Sequence, residues 1–305
     1  MLYSHEADRI DPLMKVATWN VNSIRTRLNH IVNWLQENPV DVLCLQETKV
    51  MDESFPHQPF TDLGYHTYIS GQKSYNGVAM LSREPLSNVS TGFAPLLGEA
   101  AIDLDEQKRV ITGTLDGIRI VNLYVPNGSS VGSEKYAYKL RWLAALRDYV
   151  QRLGEMGVEA QGSQEAGKQE AVESPSSHLP PPTSQLTPHT SLLLCGDFNI
   201  ALDDIDIHDP TGREKMVMAT DLERQALQAV LALGFADAFR KFTTEGGNFS
   251  WWDYRSAAFR RNLGWRIDHI YLTPALYERA IACTIDTSPR KLEQPSDHTP
   301  VWVEL

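Results

Sequence analysis

Residues 191–199 read SLLLCGDFN, an apolar run that stops at Gly196, Asp197, Phe198 and Asn199. A short apolar run closed by turn residues reads as a buried strand, and a polar group at its end stands where a rigid scaffold can present it. The same arrangement recurs outward in both directions. KVATW (15–19) leads into Asn20, Val21 and Asn22, and DVLCL (41–45) into Gln46, Glu47, Thr48 and Lys49. IRIVNLYV (118–125) contains Tyr124 and leads into Pro126, Asn127 and Gly128. Downstream, WRIDHIYL (265–272) carries Asp268, and Ser296, Asp297 and His298 sit just before the last apolar run, VWVEL. YHTYIS (65–70), GVAMLS (77–82), RVITGTL (109–115) and FSWWDY (249–254) read as further strands.

Between these runs the apolar spacing turns helical. Ile24, Leu28, Ile31, Val32 and Leu35 keep helical intervals until Pro39, a second helix is predicted from about Ser133 to Leu153, and another around Asp221–Leu233. Strands with helices interspersed, in two similar halves, predict an α/β (α+β) protein of two packed mixed sheets flanked by helices.

The 305 residues are 42% hydrophobic, which suits a sizeable core. The stretch from about 155 to 190 breaks the pattern: it is rich in Gly, Gln, Glu, Ser and Pro and has no apolar period. Such a segment cannot bury enough surface to offset its ordering entropy, so a disordered surface insertion is expected there. It interrupts a single catalytic domain expected over 14–305, behind a loose, polar extension at 1–13; Met14 is an alternative start.

The formal net charge of −11 argues at first against a nucleic-acid partner. The extension (net −2) and the insertion (net −4), however, carry −6 of that −11, and several remaining carboxylates are candidate metal ligands. Charge therefore permits DNA binding without arguing for it. No apolar run is long enough to cross a bilayer, and the N-terminus lacks the order of a secretory signal. Cys44, Cys195 and Cys283 are odd in number and lie in or beside apolar runs, which reads as reduced packing residues in a cytoplasmic protein. No cysteine-centred signature supports a catalytic thiol.

Taken singly, an Asn after a strand is a turn residue and a lone Glu is a solvated charge. Taken together, the strand-end set is made of oxygen and nitrogen donors suited to a hard cation. It has no thiolate and one histidine, which favours magnesium or manganese over zinc.

WNVNSIRTR, LQETK, GQKSYNGVAMLSR, NLYVPNG, GDFNI, SWWDYR, GWRIDHI and PSDHTPVW, in this order, resemble the exodeoxyribonuclease III / apurinic-apyrimidinic (AP) endonuclease family of the endonuclease/exonuclease/phosphatase superfamily. The resemblance runs from about Met14 to Leu305, interrupted by the insertion. QETK, GDFN and SDH mark the superfamily together, and SWWDYR with GWRID narrows the match to its DNA-repair branch.

The resemblance implies a four-layer, DNase I-like α/β sandwich with its site in a cleft at one edge. It implies magnesium, with manganese able to substitute, near Asn20, Glu47, Asp197, Asn199, Asp297 and His298, with Glu47 as main ligand and Asp297 completing the site. Asp197 would position or deprotonate the attacking water, and Asn199 would orient it. His298, paired with Asp268, and the Tyr124 hydroxyl would address the scissile phosphate. Arg25, Lys73, Tyr75, Asn127, Arg141 and Arg255 would contact DNA, and Trp251, Trp265 and Ile267 would wall a pocket for a flipped-out abasic sugar. The implied partner is double-stranded DNA with abasic sites or 3′ ends, met by a monomer.

Two departures from the family pattern are visible. Asn22 stands where many relatives have Asp, and Ser129 and Ser130 stand where some place a basic residue. Other readings are a metal-dependent phosphatase of inositol phosphates or lipids, which has no use for the WDYR and GWRID aromatics, and a non-catalytic DNA-binding module. Loss of Glu47, Asp197 or His298 would have favoured the latter, and all are present.

Overall fold

The computed structural model describes residues 13–165, 186 and 190–305, with backbone alone at 157–165. The strands form two six-stranded sheets. In the first, the spatial order is β11 (Ala282–Ile285), β12 (Val301–Glu304), β1 (Lys15–Asn20), β2 (Val42–Gln46), β4 (Val78–Ser82) and β3 (His66–Ser70). The second runs β5 (Ser87–Thr91), β6 (Val110–Leu115), β7 (Ile118–Tyr124), β8 (Leu192–Asp197), β10 (Asp268–Leu272) and β9 (Ala236–Asp237).

β1 and β8 hold equivalent places. Each has a parallel neighbour on one side, β2 or β7, and an antiparallel neighbour on the other, β12 or β10. The C-terminal ends of β1, β2, β7 and β8 therefore share an edge with the N-terminal ends of β10 and β12. Each polar strand-end group of the sequence lies at this edge.

The strands alternate between two buried faces. Val16, Cys44, Ile120, Leu193 and Cys195 fill the space between the sheets. Ala17, Leu43 and Leu45 face outward beneath α1 (Leu28–Glu37), and Val121, Leu123 and Leu194 beneath α5 (Glu134–Glu165) and α6 (Asp221–Leu231). The result is helix, sheet, sheet, helix, as the family resemblance implies. α1 has no side-chain cap, yet it buries Ile31, Trp34 and Leu35. A cap is worth about 1 kcal/mol, whereas each large apolar side chain buried contributes roughly 1.5–3 kcal/mol, so packing decides here. A polar pin crosses the core near the site: Gln46 Nε2 donates to Asn122 Oδ1 at 2.7 Å, and Asn122 Nδ2 donates to the carbonyls of Leu45 and Ala79. It fixes one sheet's register against the other's.

The structure corrects several expectations. Helix α5 does not end at Leu153; it continues to Glu165, so the first part of the expected disordered insertion is helical. Polar helix formers, with no proline before Pro175, let a well-packed helix propagate past its buried half. Leu186, also inside the expected insertion, donates its N–H to the Leu233 carbonyl at 2.8 Å and packs on the core beside Gly154. Residues 1–12, 166–185 and 187–189 lie outside the described residues, so the expected extension and the rest of the insertion stay expectations.

FSWWDY is not a strand. Trp251 makes isolated bridges to Trp265 and His298, while Trp252 N–H turns to the Asp297 carbonyl. These bridges are isolated and do not extend into a ladder. Ile24 is buried in the same cluster as α1 but precedes it. The short or polar strands β5, β9 and β11 carry no alternation that would announce them. The three cysteines are buried and free, as expected.

Candidate active site

At the shared edge Asn20 joins the two sheets. Its Nδ2 donates to Glu47 Oε1 at 3.0 Å and to Asp197 Oδ2 at 2.9 Å, while its Oδ1 accepts the Asn22 N–H. Both amide atoms are thereby engaged, so Asn20 is placed as a link between the two carboxylates. The backbone at this edge is unusual: Asn22, Glu47 and Asn199 adopt left-handed conformations, with φ of 44°, 51° and 49°. Gly196 lets β8 pass against β7, since a Cβ there would lie 1.9 Å from the Leu123 carbonyl oxygen. That close approach sets Asp197 opposite Tyr124 in the strand register.

Asp197 is fully buried. Its Oδ1 accepts the Asn199 N–H at 2.8 Å and its Oδ2 the Asn199 side-chain amide at 3.2 Å. Burial pushes its pKa up to about 7, against the opposing pull of His298. His298 sits between two acids, its Nδ1 2.8 Å from Asp268 Oδ2 and its Nε2 3.7 Å from Asp197 Oδ2. Burial works against its charge, but Asp268 and Asp197 prevail and raise its pKa to about 10. The imidazole is therefore held as an imidazolium. Asp268 Oδ2 also accepts the Ser250 hydroxyl at 2.7 Å.

Tyr124 donates its hydroxyl to Glu47 Oε1 at 2.8 Å. Burial and the Glu47 charge push its pKa well above the ordinary phenol value, which keeps it protonated. Glu47 Oε2 lies 2.8 Å from the Lys49 ammonium, which also donates to Asn22 Oδ1 at 2.6 Å. Burial opposes the Glu47 charge, yet Lys49 holds its pKa below the usual carboxylate value. Asn22 Nδ2 in turn donates to Asp297 Oδ1 at 2.9 Å, and Trp251 Nε1 to Asp297 Oδ2 at 3.0 Å. Sequence reasoning did not single out Lys49, although its place in QETK was a signal.

Two clusters could be considered for a cation. Asp197, Asp268 and His298 bring ligand atoms within 4.8 Å of one another. In this cluster, however, His298 is already held by Asp268 at Nδ1 and faces Asp197 at Nε2, an arrangement suited to donating to an anion beside it. Elsewhere, Glu47 Oε2 and Asn22 Oδ1 already meet the Lys49 ammonium with oxygen donors, and Asp297 adjoins them through Asn22 Nδ2. This second cluster fits a hard divalent ion.

The expected DNA contacts are partly brought to the site. Asn127 Nδ2 donates to Asn199 Oδ1 at 3.0 Å, and Lys73 and Tyr75 stand exposed on the loop before β4. Arg25 is exposed, its guanidinium 3.5 Å from the Ser54 carbonyl. Arg141 is turned to Asp103 and Arg255 to Asp253, both in exposed pairs. Trp265 and Ile267 are buried with Ala201, Ile207, Met218 and Ala219, and Trp251 is half-buried against them. Met218, which accepts a 3.4 Å contact from Asn127 Nδ2, packs in the same cluster.

Comparison with known proteins identifies the family. The Endonuclease/Exonuclease/phosphatase family profile matches residues 17–164 and 170–298. Exodeoxyribonuclease III of Haemophilus influenzae is 32% identical over 304 residues, 96% of this chain and 100% of the relative. An AP endonuclease from Archaeoglobus fulgidus superposes with a TM-score of 0.79 at 37% identity, over 95% of this chain and 98% of its own. A Neisseria 3′ phosphatase bound to a product DNA hairpin does so equally, at 37% identity over 96% and 99%. The chain therefore belongs to the endonuclease/exonuclease/phosphatase family, within its exodeoxyribonuclease III and AP endonuclease branch.

Proposed function

We propose that the chain is a DNA-repair nuclease that hydrolyses the phosphodiester bond 5′ to abasic sites and removes nucleotides or blocking groups from the 3′ ends of duplex DNA. The observation that carries this is the Asn20 amide, which brings Glu47 of one sheet and Asp197 of the other to a single point beside His298. The names of the relatives, exodeoxyribonuclease III, AP endonuclease and 3′ phosphatase, support the same substrate class. The inositol-phosphate or lipid reading finds no favour in them.

In this proposal Asp197, Asn199, His298, Asp268 and Tyr124 act on the phosphate and the attacking water. Asp197, with its pKa raised to about 7, accepts the proton as water oxygen bonds to phosphorus and the 3′-oxygen leaves. Tyr124 is less suited as base, since its environment strengthens its hold on the proton. The His298 imidazolium, oriented by Asp268, donates to a phosphate oxygen where negative charge grows. Glu47 and Asp297, with Asn22 beside them, would hold magnesium, or manganese in its place, which supplies a Lewis acid at the phosphate. Arg25, Lys73, Tyr75 and Asn127 offer contacts to the DNA, and Arg141 and Arg255 do so once a phosphate displaces their carboxylate partners.

Among the described residues no helix is long and apolar enough to cross a membrane. We take the protein to act as a cytoplasmic monomer, with 14–305 as its catalytic domain. The test is cleavage of a duplex bearing one abasic analogue, with magnesium or with chelator. Cleavage only with the metal is expected, and an intact duplex in both would overturn the proposal.

A further inference from the structure

Behind the site lies a buried ion pair that the chemistry above does not use. Lys139, on the second turn of α5, is fully buried, and so is Glu223 on α6. Burying a lysine and a glutamate costs several kcal/mol per ion, and an apolar pair of similar volume is often as stable or more so. The pair therefore calls for an explanation other than stability.

Its hydrogen bonds supply one. An ammonium has three N–H donors, and Lys139 Nζ has three acceptors: Glu223 Oε1 at 2.5 Å, the Asn199 carbonyl at 2.7 Å and the Asn127 carbonyl at 3.2 Å. Glu223 in turn accepts the Met218 N–H at 2.9 Å, the Thr220 N–H at 3.1 Å and the Thr220 hydroxyl at 2.7 Å. One ion pair thus holds the backbone of Asn127, Asn199 and Met218. Their side chains meet on the other side, where Asn127 Nδ2 touches both Asn199 Oδ1 and the Met218 sulfur. Gly128, at φ 94°, folds the Asn127 loop against the Lys139 stem; a Cβ there would lie 3.2 Å from Lys139 Cδ.

We propose that Lys139 and Glu223 are positioning residues, a buried strut that holds Asn199 and Asn127 in line with Asp197 and fixes Met218 at the wall of the sugar pocket. The inference rests on the site reading given above. Neither residue touches DNA in this scheme; both act through the loops whose carbonyls and N–H groups they hold. Displacement of a reacting group by about 1 Å costs on the order of 10²-fold in rate, so a strut of this kind has its effect on turnover rather than on binding.

The test compares Lys139→Met/Glu223→Gln, which removes both charges together, with the native chain in steady-state cleavage of an abasic duplex. The pair variant is expected to melt cooperatively, to keep KM within about threefold, and to lose kcat by on the order of 10- to 100-fold. Adding Asn199→Ala to it should cost far less than in the native chain, because the two changes remove one shared effect. Lys139→Gln/Glu223→Gln, which keeps hydrogen bonding without charge, should recover part of kcat and stands in if the first variant does not fold. Native kcat in a well-folded pair variant, or full multiplication with Asn199→Ala, would overturn the strut. If Asn199→Ala alone leaves the native chain's cleavage unchanged, the site assignment falls, and the strut with it.

Discussion

The Nδ1 of His298 lies 2.8 Å from Asp268 Oδ2, a buried contact between a residue three positions ahead of β12 in the first sheet and the first residue of β10 in the second. It sets the charge of the imidazole. Because the folded pKa is raised to about 10, the pair's contribution to stability is complete below the ordinary histidine pKa and is lost as pH rises through about 10. In metal-free protein, NMR of the His298 ring should show the charged form throughout the neutral range. Asp268→Asn should bring its titration down towards neutrality. A native His298 titrating at its ordinary value would dismiss the imidazolium.

Glu47→Gln keeps shape and removes the anion that holds Lys49. Magnesium-dependent cleavage should fall by on the order of 10²-fold or more, with the melting temperature little changed. Full activity in this variant would sink the assigned cation site.

Asn22→Asp exchanges a donor towards Asp297 for a second carboxylate beside it. Like charges brought together raise the need for a cation, so half-maximal activity should come at lower magnesium, and chelator should lower the melting temperature more than in the native chain. A magnesium titration with and without the substitution decides it.

The proposed sugar pocket can be probed without breaking the core. Trp265→Ala with Ile267→Ala removes two buried side chains, and losses of roughly 2–5 kcal/mol for each make stability and activity fall together. Met218→Ala opens the same space from its occupied side. Cleavage at an abasic site should change relative to digestion of an intact 3′ end, with the magnesium dependence retained. An unchanged ratio in a well-folded variant would remove Met218 from the pocket.

The strand ends were legible because the scaffold is hydrophobic and the site is not. VLCLQE and LLLCGD each run apolar until just before their last residue, and that residue, Glu47 or Asp197, lies in the site. The sheets were legible where alternation or full burial is strong, and illegible at β5, an exposed edge strand, and at β9, two residues long. Trp251 and Trp252 have strand-like composition, but Trp251 makes only isolated bridges, a tertiary effect that no local pattern records. Lys139 was detectable in principle: it shares a helical face with Trp142, Leu143 and Leu146, a charge in an apolar stripe. Its partner Glu223, 84 residues away, was not.

The order of the strands along the chain has a consequence for when such an enzyme can act. β12, the last strand, inserts beside β1, the first, and the residues just ahead of it are Asp297 and His298. A ribosome has made the other eleven described strands before these two side chains exist, and pairing over so long a separation is slow. An emerging chain therefore carries Glu47 and Asp197 without the partners that complete the cleft. No amino-terminal fragment that stops short of Asp297 should cut DNA.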